Sequence, residues 1–147
     1  MVKPKLDCGS GNFPASGYVH LDKRKLPHVD IVWDVEHIPW MVVSESYCEV
    51  RMSHLIEHIK PWLTIEIIDE CWRVLKKNGL LRISAPYATS PGFYADPTHC
   101  NQISERWVEY FDPAYPLYQV YKPRPWKVTK NEWNPDLNID IVLRKIK

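Results

Sequence analysis

Three features of the sequence predict an α/β fold built on an open, mostly parallel sheet. Short apolar segments, several ending in an acid, are separated by glycine and proline turns over the first half of the chain. One amphipathic helix lies near the middle, and two alternating runs around Asn134-Pro135-Asp136 close the chain. The architecture expected is a Rossmann-like sheet with a C-terminal antiparallel β-hairpin, whose ligand lies beyond the carboxyl ends of the strands. The 147 residues fit one domain over 1–147.

Each element carries its own signal. Lys5-Leu6-Asp7-Cys8 reads as a short buried strand that runs into the tight turn Gly9-Ser10-Gly11-Asn12. Tyr18 to Asp22 and Val29 to Asp34 read as second and third strands, each ending in an acid, and Glu49 to Ser53 as a fourth. Pro61 suits a first helical turn. From there to Lys77, apolar Ile65, Ile68, Cys71, Trp72 and Leu75 share a face, with acids early and bases late, so a helix is expected until Asn78-Gly79 ends it. Leu80 to Ser84 reads as a fifth strand stopped by Pro86, and Ser104 as the cap of a short helix reaching Phe111. Five of the thirteen prolines fall between Pro113 and Pro135, which predicts stiff connections there. The hairpin strands are Trp126 to Trp133 and Ile139 to Ile146.

Composition removes several function classes. With 45% hydrophobic and 25% charged residues, disordered, collagenous and coiled-coil readings lose support. Nineteen Lys and Arg against eighteen Asp and Glu, with no basic run longer than three, show no broad cationic face, so nucleic acid is unsupported as a partner. No apolar stretch follows the opening Met1 to Lys5 and none reaches the roughly 18 to 20 residues of a membrane span, so a cytoplasmic protein is expected. Cys8, Cys48, Cys71 and Cys100 form no C-x-x-C pair and are expected to be reduced and mostly buried.

Only five glycines occur where average usage gives about ten, and Gly9, Gly11 and Gly17 crowd into nine positions. A strand precedes Gly9, and Asp22 ends the next strand where a carboxylate can accept ribose hydroxyls. A dinucleotide site needs a third glycine, a full helix for the pyrophosphate and an acid about 20 residues on. Here Asp22 follows Gly11 by eleven positions, interrupted by Pro14 and Gly17, so no proper helix fits. A nucleoside ligand without a pyrophosphate suits this better, and S-adenosylmethionine is one.

Lys5 to Gly11, Gly17 to Asp22, Trp33-Asp34-Val35 with Ile38-Pro39, Ser53-His54-Leu55-Ile56-Glu57-His58-Ile59, Glu70 to Gly79 and Arg82 to Pro86 together resemble a class I S-adenosylmethionine-dependent methyltransferase. The resemblance is narrowest to the type 11 branch, with an abridged first helix. It implies that Asp7, Gly9, Ser10 and Gly11 form the cofactor turn, with the two glycines under the methionine part. It also implies that Asp22 binds the ribose, that Asp34 and Val35 border the adenine, and that Ser53 and His54 end the strand facing the methyl. An Asp-Pro-Thr-His run like Asp96-Pro97-Thr98-His99 occupies the same place in that family. The usual proline-glycine-glycine is Lys77-Asn78-Gly79 here, and Gly79 is expected to take the positive dihedral.

Other readings compete for the same residues. His54-x-x-Glu57-His58 also spells a zinc-hydrolase motif, which requires both histidines on one long helix and a third ligand. Pro61 and the preceding strand argue against such a helix, so no metal is expected, His58 is read as packing at a turn, and Glu57 as pairing locally. A non-catalytic nucleoside-binding module is the remaining alternative. Because a sulfonium methyl is already activated, positioning supplies much of the rate, and a base is needed only for an acceptor that must lose a proton. His54, His99 and Asp96 are the catalytic candidates. The acceptor expected is a small molecule or glycan, with oxygen first. With no chain ahead of the first strand to serve as a lid, the Tyr87 to Asn101 loop is expected to close over the cofactor with Asp96 and His99 on the acceptor side, and a second subunit or the substrate to cover the rest.

Overall fold

The computed structural model describes residues 4–147, so the opening Met1 to Lys3 lies outside the described residues. A seven-stranded sheet runs in the order β3-β2-β1-β4-β5-β7-β6. Its strands are β1 (Lys5–Cys8), β2 (Val19–Asp22), β3 (Ile31–Val32), β4 (Tyr47–Ser53), β5 (Leu75–Pro86), β6 (Trp126–Trp133) and β7 (Asn138–Lys145). The first five are parallel, and β7 pairs antiparallel with both β5 and β6. Strand order reverses at β1, where one connection leads to β2 and the next crosses to β4. Such a switch point opens a crevice beyond the carboxyl ends.

Leu6, Cys8, Val50, Met52, Leu81 and Ile141 are fully buried or nearly so along the central strands. Helix α1 (Thr64–Val74) covers them with Ile67, Ile68, Cys71 and Val74, all at 0% exposure. That apolar stripe at helical spacing explains why this segment, unlike any other, holds three full turns. At the other end of the sheet Lys145 is buried, its ammonium 3.8 Å over the Trp72 ring and donating to the Leu75 carbonyl.

Several boundaries differ from the sequence-based expectation. The helix ends at Val74, not Asn78, because Leu75 turns extended and joins β5 opposite Tyr47. Asn78, not Gly79, takes the positive dihedral, at φ 63°. Gly79 is required for space: a Cβ there would stand 2.8 Å from the Lys76 carbonyl oxygen. The third strand is Ile31–Val32, shorter than the Val29 to Asp34 expected, and is flanked by backbone bonds from the Asp30 and Trp33 amides to the His20 and Asp22 carbonyls. Ser104 caps nothing; the short turn is a 3-10 helix over Trp107–Tyr110, and no side chain caps it. Two brief helices, α2 (Pro91–Ala95) and α3 (Tyr118–Tyr121), lie in stretches expected to be connections. Of the cysteines, Cys8 and Cys71 are buried, Cys48 is half-buried and Cys100 is exposed. No described helix is long and apolar enough to cross a membrane.

Candidate cofactor cleft

A cleft of about 530 Å³ opens at the carboxyl ends of β1, β2 and β4. Its floor is the first glycine turn. Gly9 and Gly11 adopt φ 68° and 56°, and the Gly9 amide donates to the Leu21 carbonyl at 2.8 Å, which folds the turn back over β2. A Cβ on Gly9 would meet Leu55 Cδ1 at 2.8 Å, so glycine is needed here for both dihedral and contact.

Asp22 lines the cleft and ties its parts together. Its Oδ2 accepts the Gly11 N–H at 2.8 Å, and its Oδ1 accepts the Arg24 N–H at 2.8 Å and the Arg24 Nε at 3.3 Å. Burial pushes its carboxyl upward, but these donors outweigh burial and hold the pKa below the usual value. Each carboxylate oxygen has about two acceptor sites, so Asp22 retains capacity for a hydroxyl.

Asp34 and Val35 form the next wall together with Trp33. The Asp34 Oδ1 accepts the Glu36 amide at 2.9 Å, which shapes this turn, while Val35 is buried. On the opposite wall, His54 follows β4 in the left-handed region at φ 53°, its amide donating to Ser84 O. A non-glycine residue in that conformation costs of order 1 kcal/mol. It carries the half-exposed imidazole out of the sheet plane and onto the cleft wall. The Glu57 carboxylate, 3.4 Å from His54 Nδ1, raises the imidazole pKa, and burial opposes it only partly.

The cleft therefore gathers Gly9, Gly11, Asp22, Asp34, Val35 and His54 from six separate positions in the sequence. Other residues expected at the site stand behind it. Asp7 is fully buried, with Oδ2 accepting the Ala15 amide at 3.1 Å and Oδ1 the Arg51 guanidinium at 2.9 Å. Ser10 is buried with its hydroxyl 3.4 Å from His28 Nε2, and Ser53 is held in register opposite Ser84. Asp96 and His99 are also off the wall, and the loop presents Thr98 instead. Asp96 Oδ1 accepts both the amide and the hydroxyl of Thr98, and His99 turns its Nδ1 to the Phe93 carbonyl at 2.8 Å.

Leu55, Trp33, Arg24, His58 and Thr98 also line the cleft. Arg24, Trp33, Leu55 and Thr98 each lie within two positions of a candidate already identified, and His58 was read from the sequence as packing at a turn. The zinc-hydrolase reading loses its geometry: His54 sits at the strand end, and Ile56–His58 is a single 3-10 turn, so the two histidines share no helix face.

No protein-family model matches the sequence, and no curated protein does either. Solved structures do. The chain is similar to a SAM-dependent methyltransferase from Archaeoglobus fulgidus, with TM-score 0.69, 16% identity, and coverage of 97% of this chain and 86% of that one. It is also similar to the 1,6-didemethyltoxoflavin-N1-methyltransferase of Burkholderia thailandensis, solved with S-adenosylhomocysteine bound, with TM-score 0.68, 11% identity, and 99% and 72% coverage. The [4+2]-cyclase SpnF matches with TM-score 0.64, 12% identity, and 97% and 74% coverage, so this likeness carries architecture and not a reaction. The strand order, the parallel core with its antiparallel β7 and these neighbours agree on one conclusion: the chain has the class I S-adenosylmethionine-dependent methyltransferase fold.

Proposed function

We propose that the chain binds S-adenosylmethionine in this cleft and transfers its methyl group to a small-molecule or glycan acceptor. The observation that carries the reading is the convergence of Gly9, Gly11, Asp22, Asp34, Val35 and His54 on one cleft at the switch point of the sheet. The residues fit such a cofactor. The volume lies within the ordinary range for ligand pockets of about 300 to 1,000 Å³. The two glycines give the floor its left-handed turn, Asp22 keeps acceptor capacity for ribose hydroxyls, and Trp33 and Val35 offer apolar walls for a base.

S-adenosylmethionine, when bound, supplies a sulfonium methyl that needs no further activation. The chain's task is then to orient the acceptor and exclude water. His54 is a titratable imidazole on the wall, and the Glu57 carboxylate raises its pKa, which favours the form that carries a proton. Thr98 closes the cleft from the loop side. Asp96 and His99 act in this reading by holding Thr98 and its loop in place, and Asp7 and Ser10 by bracing the glycine turn. An oxygen acceptor on a sugar or small metabolite in the cytoplasm is the first candidate, with a second subunit as the natural cover for the open side.

Calorimetry on the full chain tests the reading. Micromolar-range binding of S-adenosylmethionine or S-adenosylhomocysteine is expected. Tight NAD binding with no response to either of these would overturn it.

A further inference from the structure

Beside the cleft, away from its floor, one carboxylate oxygen of Glu57 and one ring nitrogen each of His58 and His99 lie within 4.8 Å of one another. Glu57 is 1% exposed, and neither of its carboxylate oxygens has a hydrogen-bond donor. The nearest imidazole nitrogen outside the trio, His54 Nδ1, stands at 3.4 Å without hydrogen-bond geometry. The ion pair with His54, which raises that imidazole's pKa, leaves both carboxylate oxygens without a hydrogen bond, and a buried carboxylate in this state is stabilised by a cation seated on it.

The hydrogen bonds around the two histidines decide which nitrogens are available. His99 Nδ1 lies 2.8 Å from the Phe93 carbonyl, which only accepts, so Nδ1 carries the proton. His58 Nδ1 lies 2.9 Å from Thr98 Oγ1, whose own proton goes to Asp96 Oδ1 at 2.7 Å. The hydroxyl must therefore accept from His58, so this Nδ1 is protonated too. In this tautomer Nε2 of each ring is the atom left for a ligand, and that of His99 also stands 3.6 Å from Asp96 Oδ2. Two imidazoles held through Nδ1–H to protein oxygens beside a buried carboxylate that accepts no hydrogen bond is the arrangement of metal-ligating histidines and their supporting shell.

We propose that Glu57, His58 and His99 bind a divalent cation of the zinc class. Two imidazole nitrogens and one carboxylate oxygen match a three-ligand zinc site with its fourth position open to water. Ligand atoms on one tetrahedral zinc stand about 3.3 Å apart, so side-chain movements of about 1 Å close the trio around the ion. The site differs from the sequence motif His54-x-x-Glu57-His58, because His99 from the distant loop replaces His54. Its position gives it a consequence. The Glu57 carbonyl already accepts the amides of Cys100 and Asn101, and the ion adds a second tie between the turn after β4 and the loop that presents Thr98 to the cleft.

Untagged full-length protein, stripped with chelator, is titrated with Co²⁺ and then Zn²⁺. One Co²⁺ per chain with the visible absorption of tetrahedral coordination is expected, and Zn²⁺ should displace it. Glu57→Gln, His58→Gln and His99→Gln should each weaken Zn²⁺ binding by at least about tenfold. Long-range proton–nitrogen NMR on the wild-type chain keeps the test open if a variant fails to fold: Zn²⁺ should shift Nε2 of His58 and His99. No stoichiometric binding by the folded wild-type chain, shifts at other histidines, or affinity unchanged in the three variants would each overturn the site.

Discussion

The Asp22 carboxylate accepts the Gly11 N–H at 2.8 Å, so the glycine turn after β1 and the acid that ends β2 form one unit. A single side chain thus shapes the floor of the cleft and offers acceptors to its occupant. Asp22→Asn keeps one acceptor oxygen and removes the charge. The expected result is a loss of S-adenosylhomocysteine affinity of about 1 to 3 kcal/mol by calorimetry, with an unchanged far-UV spectrum. Wild-type affinity in this variant would remove Asp22 from the binding set.

The glycines near the start should respond unequally to alanine. Gly17 has φ 82° and nothing within 4 Å of a built Cβ, so Gly17→Ala pays only the backbone term of about 1 to 2 kcal/mol. Gly9→Ala adds a contact at 2.8 Å with Leu55 Cδ1 and should lose more stability in urea. Because Leu55 Cδ1 is the end of a flexible side chain, Leu55→Ala should recover the difference between the two variants and not the backbone part. Equal losses at Gly9 and Gly17 would show that Leu55 moves aside freely.

Acid should weaken the fold in a defined window. For Asp22, Glu49 and Glu70 burial pushes upward, but hydrogen bonds from Arg24 and Gly11, from Tyr18 and Arg82, and from Arg73 and Trp40 outweigh it. Their folded pKa values lie below the unfolded ones. The stability they add is complete above the ordinary carboxylate range of about 4, and is lost as pH falls through the lowered values. Asp69, raised by burial, contributes with the opposite sign. Urea midpoints should not fall between about pH 7 and 5, where His54, raised by Glu57, adds stability as it gains its proton, and they should fall below about 4, a fall that Glu70→Gln should flatten. An acid-independent midpoint would contradict the three pairings.

Local patterns in the sequence determined the parallel strands, the glycine turn, the helix face and the hairpin, because each is a run of neighbours whose spacing and turn chemistry act over a few residues. That Gly9, Gly11 and Asp22 would meet at one place was legible for the same reason, since a turn and the end of the next strand are local features. Where the helix yields to β5 was not legible: Leu75 completes the helical stripe in sequence, yet pairing opposite Tyr47 draws it into the sheet. Nor was the place of Asp96 and His99. Their loop's position follows from the Glu57 carbonyl, which receives Cys100 and Asn101 from more than forty positions away and so puts Thr98, not its neighbours, on the cleft wall. The same long-range tie brings His99 beside Glu57 and His58, a grouping that exists only after the sheet has formed, because only contacts between distant segments decide which side chains come together.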